Sequence, residues 1–229
     1  MSANAEKKLQ SEFNEWAEQG RGDEMERHHM PIFEPTLPIM NVQPGDRVLD
    51  LGCGSGWATR LIANRFKPKK IVGIDISDEM VRRAEEQSQG IANIEFKHGA
   101  AEKIPAADGS FDKIFSIESF YYWPEQMAGL REAGRVLAPG GKLFILINLY
   151  KDNHYSLRWA NELKVPVHTL SEAEYIELLT KAGFADVEAK RIPDGSPTPE
   201  EYSGKWFKNA KELREFKQIG ALLLIGTRP

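Results

Sequence analysis

Cysteine is all but missing from this chain: of 229 residues, only Cys53 is one. That excludes a disulfide scaffold within the chain and a cysteine-cluster metal site. Histidine is also scarce. The five present, His28, His29, His98, His154 and His168, include no pair at the His-Glu-x-x-His spacing of a helical zinc hydrolase. No stretch approaches the roughly 18 consecutive apolar residues of a membrane span, so stable membrane insertion is not expected. The opening "MSANAEKKLQSEFNEWAEQG" is too polar for a secretory signal, and a cytoplasmic location is the default expectation. An excess of basic charge is lacking too: 30 Lys and Arg stand against 34 Asp and Glu, a formal net charge of −4. This balance argues against nucleic acid as a partner held by counterion release. The one local basic run, "RFKPKK" (65–70), reads as a solvated loop. There is no internal repeat.

What is present is an alternation of apolar runs with helical periods. Residues 3–19 read as an amphipathic helix carrying Leu9, Phe13 and Trp16 on one stripe. Residues 20–44 are mixed. Strands are then expected at 46–51, 70–77, 94–99, 111–119 and 140–150, with helices at 56–66, 78–89 and about 125–137 between them. Strands alternating with helices imply right-handed crossovers and a mainly parallel sheet covered on both faces. Past residue 150 the pattern loosens. Ser171 and Glu174 have capping-box spacing, so 171–184 is expected to be a helix. Strands are expected at 185–192 and 218–229, with a loop-rich stretch over 193–215. The fold class expected is α/β with about seven strands.

The stretch "LDLGCGSGWATRLIA" (49–63) carries the chemistry. A triphosphate-binding loop requires Lys-Ser/Thr after its glycines, and none follows here. The dinucleotide fingerprint Gly-x-Gly-x-x-Gly wants glycine at position 57, which holds Trp57. What remains is a tight glycine turn after the first strand, at the sheet edge where open α/β proteins bind ligands. Asp75 ends the second strand, on the order of 20 residues beyond the glycines. A carboxylate there can accept both hydroxyls of a ribose. The ligand expected therefore has a ribose and needs no phosphate cradle.

Four stretches in register, "VLDLGCGSGWATRLIA", "VGIDIS", "FDKIFSIESFYYW" and "RVLAPGGKLFIL", resemble class I S-adenosylmethionine-dependent methyltransferases. The likeness is greatest to the small-molecule branch that includes ubiquinone, sterol, tocopherol and natural-product methyltransferases. It runs from about 45 to 150 and more loosely beyond. It implies a Rossmann-like, doubly wound, seven-stranded, mostly parallel sheet with an antiparallel last strand. It also implies an N-terminal helical lid over 1–44, a cofactor domain over 45–229, and substrate-pocket insertions at about 150–169 and 193–215. The cofactor implied is S-adenosylmethionine, with S-adenosylhomocysteine as product. Asp50, Gly52 and Gly54 would face its methionine part, and Asp75 its ribose. Ile76 and Met80 would meet the adenine, and Ser116 and Ile117 would pass under the methionine. The family often places Asp after the glycine that follows strand 3. Here that position is Ala100, so the neighbourhood of Ala101 or the carboxylate of Glu102 would take its role.

Acceptor chemistry is expected in two places. One is "SIESFYYWPE" (116–125), where Glu118 is a candidate base and Tyr121, Tyr122 and Trp123 are candidate acceptor contacts. The other is "GRGDEMERHHMPIF" (20–33), where His28 and His29 are candidate bases. Tyr155 and Trp159 are further candidate acceptor contacts, with His154 and Trp206 beside them. The Asn/Asp-Pro-Pro-Tyr/Phe motif of base and amide methylation is absent after strand 4, and Glu118 with Glu125 is no convincing magnesium set. The expectation is metal-free, in-line methyl transfer to O, N or C of a small molecule, by a monomer or homodimer. The alternative is a cofactor-binding regulatory protein that has lost catalysis.

Overall fold

The computed structural model describes residues 3–229, the side chains of 3, 4 and 23 excepted. Seven strands form one sheet: β1 (Arg47–Leu51), β2 (Lys70–Asp75), β3 (Ile94–His98), β4 (Phe111–Ile117), β5 (Leu137–Ile147), β6 (Ala185–Ile192) and β7 (Ala221–Thr227). Their order is β3-β2-β1-β4-β5-β7-β6, and β7 runs antiparallel to both its neighbours. The expected Rossmann-like α/β sheet with an antiparallel last strand is therefore what the chain forms.

Strand alternation sends neighbouring side chains to opposite faces. Leu49, Ile114, Ile145 and Leu224 pack on one side of the sheet. Val48, Phe115, Leu146 and Leu223 pack on the other, against Phe33 and Ile62. Both faces are covered, which explains why the central strands read as unbroken apolar runs. Chain direction reverses its winding between β1 and β4, so the carboxyl ends of β1, β2 and β4 frame a crevice at the topological switch point.

Helices α1 (Ala3–Glu18), α2 (Arg21–Phe33) and α3 (Leu37–Met40) precede the sheet. Gly20, with φ 73°, makes the sharp break between the first two. Helices α4 (Trp57–Phe66), α5 (Asp78–Gln87), α6 (Gln126–Val136), α7 (Leu157–Ala160), α8 (Glu172–Lys181) and α9 (Ala210–Ile219) follow. The capping box at Ser171 and Glu174 is formed, and Ser77 caps α5 by accepting from the Met80 amide at 3.0 Å.

Three boundaries differ from the sequence reading. The mixed segment 20–44 is mostly helical, with Pro31 inside α2. Strand β5 starts at Leu137, before the Pro-Gly-Gly run, and its pairing with β4 slips there. Helix α9 occupies 210–219, where a loop and the start of a strand were expected. Its signals were local: Asn209 accepts from the Glu212 amide at 3.0 Å as the cap, and Gly220 stops it. Among the described residues no helix is long and apolar enough to cross a membrane.

Candidate active site

A cavity of about 250 Å³ lies over the carboxyl ends of β1, β2 and β4. The glycine turn forms its floor. The amides of Gly52 and Cys53 both donate to the Ile74 carbonyl, at 2.8 and 3.0 Å, which folds the turn back across β2. Gly52 (φ 82°) has no room for a side chain, since a Cβ would come within 2.1 Å of Ser119 Oγ. Gly54 (φ 52°) is the opposite case: nothing lies within 4 Å of where its Cβ would be, and it faces the cavity. A ligand can approach this backbone directly.

Asp75 stands beside the turn. Its Oδ2 accepts from the Gly54 amide at 2.7 Å and its Oδ1 from the Ser77 amide at 2.9 Å. Burial pushes this carboxyl upward, and these amides hold it back. The Ile76 amide is a third backbone donor to this carboxylate, and Asp75 lines the cavity, where a carboxylate's remaining lone pairs can accept from a ribose diol. Ile76, Met80, Ala101 and Glu102 line the same end. Glu102 accepts from the Glu125 amide at 3.0 Å. The donors and room present fit an adenosyl cofactor.

Asp50 does not face the cavity. It is 2% exposed, and Thr59 Oγ1 donates to its Oδ2 at 2.6 Å. Burial raises it to about 7, against the Thr59 hydroxyl and amide. Asp50 is thus a cap reaching from β1 to the start of α4. Asp50→Ala is expected to lower unfolding free energy by about 1–2 kcal/mol, read by urea denaturation, because it orphans both Thr59 donors. A variant as stable as the parent would remove the capping role. Ser116 is also outside the cavity, 1% exposed with its hydroxyl unpartnered, since alternation along β4 turns it away from Ile117, which lines the cavity.

The other end of the cavity is built by the segment after β4. Glu118 adopts φ 51°, a left-handed conformation uncommon for a residue with a side chain. This bends the chain so that the carboxyl points inward, where it is 8% exposed. Its Oε1 accepts from the Asn148 amide at 2.6 Å and its Oε2 from Tyr121 Oη at 2.9 Å. Burial raises it to about 7 despite these donors. Tyr121, Tyr122, Trp123 and Trp159 line the cavity around it, with Phe13 and Trp16 from α1. Phe13, Trp16 and Tyr122 pack edge to face with centroids 5.0–6.3 Å apart, so they form a continuous wall rather than an open cage.

Of the two adjacent histidines, His29 lines the cavity and His28 is exposed. Adjacent helix positions point about 100° apart, so only one could enter. Burial lowers His29 to about 4, with the neighbouring His28 a smaller cause. Tyr155 lies outside, its hydroxyl bonded to Glu215 and its ring beside Phe207 and Phe216. His154 and Trp206 do not line the cavity either. Sequence reasoning missed Gly22, Met25, Ser55, Trp57 and Ser119 as lining residues. A signal existed for two of them. Gly22, Met25, His29 and Phe33 recur at spacings of three and four, one face of a helix.

Comparisons with known proteins identify the family and the fold. Residues 48–141 match the methyltransferase domain family. A demethylmenaquinone methyltransferase from Geobacillus kaustophilus is 30% identical over 193 residues, covering 72% of this chain and 81% of that protein. A 2-methyl-6-phytyl-1,4-hydroquinone methyltransferase from rice (Oryza sativa subsp. japonica) is 33% identical over 148 residues, 64% of this chain and 41% of that protein. The chain thus spans less than half the length of the rice relative. Among solved structures, a chain of the complex between Haloferax volcanii Trm112, a methyltransferase activator, and a candidate methyltransferase superposes with a TM-score of 0.90. The two are 32% identical, and the match covers 95% of this chain and 98% of that one.

Proposed function

The chain belongs to the S-adenosylmethionine-dependent methyltransferases, and from that premise we propose that it methylates an apolar small-molecule acceptor at O, N or C. One observation carries the reading: a buried, raised carboxyl, Glu118, closes the aromatic end of the same cavity whose other end offers Asp75 to a ribose. The cofactor, when bound, supplies an electrophilic methyl group on sulfur. The protein's share is to hold the acceptor in line and keep water out. Tyr121, Tyr122, Trp123 and Trp159 form the walls for the acceptor. Phe13 and Trp16 of α1 roof it, which makes 1–44 a lid. The Glu118 carboxylate takes the proton released by the acceptor as the new bond forms, and Tyr121 and the Asn148 amide aim it.

Relatives named for a phytyl hydroquinone, a demethylmenaquinone and fatty acids support an apolar acceptor. The continuous aromatic wall supports the same view, since it leaves no open cage for a quaternary ammonium group. Calorimetry with S-adenosylhomocysteine should give saturable binding. No binding at millimolar concentration would sink the cofactor assignment. Activity is tested with methyl-labelled cofactor against a library rich in phenols, quinols and fatty acids, products being identified by mass. Because the Haloferax volcanii neighbour is in complex with an activator, the assay is run with the chain alone and with a co-purified activator. Cofactor binding with silence across the library in both forms would favour a regulatory, non-catalytic protein.

A further inference from the structure

Both oxygens of the buried Glu118 carboxyl are already held, Oε1 by the Asn148 amide at 2.6 Å and Oε2 by the Tyr121 hydroxyl at 2.9 Å. Tyr121 lines the same cavity, and only the proton of its hydroxyl is engaged by Glu118. A hydroxyl carries one donor and two lone pairs. The Tyr121 oxygen can therefore accept from a second group while it donates to the first, whereas a carboxylate only accepts. The residue is also fixed in place. Its carbonyl accepts from the His168 amide at 2.8 Å, and its ring centroid stands 4.5 Å from that of Tyr122.

The other titratable groups near this pair come from three elements. Tyr122 on the same segment and Tyr175 of α8 both interact with Glu118. Glu12 of α1 interacts with Tyr122, but its Oε1 takes the Trp16 indole N–H at 2.8 Å, and Lys164 Nζ lies 3.8 Å from its Oε2. Burial raises both Tyr121 and Tyr122, so neither rests as a phenolate. A hydroxyl that stays protonated passes its proton on only by receiving another in the same event.

We propose that Tyr121 is a catalytic residue that relays the acceptor's proton to Glu118, and that the acceptor therefore presents an O–H or N–H group. This rests on the reading of Glu118 as the base. As the acceptor's oxygen or nitrogen forms its bond to the methyl carbon, the carbon–sulfur bond breaks and its electron pair stays on sulfur. The acceptor's proton passes to Tyr121 Oη, and the proton already there passes to Glu118 Oε2. Tyr121 is regenerated in the same step. The carboxyl is left neutral and loses its proton to water once product has gone. A C–H group is too weak a donor to head such a chain.

The test is Tyr121→Phe, which removes only the hydroxyl. Its affinity for S-adenosylhomocysteine should stay within about twofold of the parent in calorimetry, showing that it folds. With methyl-labelled cofactor and the phenol, alcohol or amine methylated fastest, kcat should fall about 10²–10³-fold with little change in KM. Joined to Glu118→Gln, it should add less than about threefold, because the two residues act as a unit. The pH profile separates relay from direct transfer. Tyr121 favours the ionised form of Glu118, so its loss raises that carboxyl above about 7. Direct transfer would keep the low-pH limb in Tyr121→Phe and move it to higher pH, whereas the relay makes the limb disappear. The parent alone supplies a second measurement. In mixtures of light and heavy water its single-turnover rate should follow the deuterium fraction along a curve, as for two protons in motion. A straight line, a retained limb or full additivity of the two substitutions would each overturn the relay, as would a methyl group found on carbon. Rate lost in Glu118→Gln but kept in Tyr121→Phe would leave the base standing without the relay. Unchanged rates in both single variants would remove the base reading itself.

Discussion

Glu118→Gln is expected to lower the methyl-transfer rate by about 10²–10³-fold, the range lost when a positioned general base is removed. The substitution keeps the shape and an acceptor oxygen for the Asn148 amide, so the left-handed turn at this residue is retained. The parent's pH profile should carry the same signature. Glu118 acts as a base only when ionised, and its pKa is raised to about 7, so the rate should fall as pH drops below about 7. The variant should lack that limb. Stability separates catalysis from folding. A carboxyl raised by burial stabilises the folded state fully below its unfolded value, and that contribution is lost as pH rises through about 7. Glu118→Gln removes this loss, so thermal melting at pH 8 should find the variant at least as stable as the parent. A rate within about threefold of the parent, at any pH, would exclude Glu118 as the base.

Asp75→Ala is expected to weaken S-adenosylhomocysteine by about 2–3 kcal/mol, roughly a hundredfold, in calorimetry. Two effects add. The ribose loses its acceptors, and the Gly54 and Ser77 amides lose the carboxylate that shapes the turn and the start of α5. Asp75→Asn should fall between variant and parent, because one oxygen remains to accept. Asp50→Ala provides the contrast: it acts on α4 from outside the cavity, and its cost should appear in unfolding more than in cofactor affinity. Equal affinity in Asp75→Ala and the parent would move the ribose elsewhere.

The central fold was legible because parallel strands buried on both faces leave long apolar runs, and each crossover helix starts with its own signal. The glycine-turn end of the cavity was legible for a related reason. The glycine turn, Asp75, Ile76 and Met80 are fixed by short spacings along one β-turn-α unit and the next strand, so local sequence already sets their neighbourhood. Asp50 shows the limit. Its place two residues before the glycines suggested a ligand contact, yet only the packing of α4 on β1 reveals that Thr59 takes its carboxylate.

The aromatic end of the cavity was legible only in part. An aromatic run after β4 marks a pocket, but which rings face inward depends on the turn that Glu118 makes at φ 51°. Tyr155 and Trp159 lie four residues apart and both pack with the Phe207 and Phe216 cluster, yet only Trp159 also reaches the cavity, while the Tyr155 hydroxyl is bonded to Glu215. Adjacent histidines posed the same choice, settled by the pitch of α2 against the start of α4. By itself, then, the sequence determined the sheet, its winding and the glycine turn beside Asp75, since these follow from hydrophobic period and close-range spacing. Which carboxylate faces the cavity, which histidine enters it and which rings of α1 line it were decided only by tertiary packing, because those contacts join segments far apart in the chain.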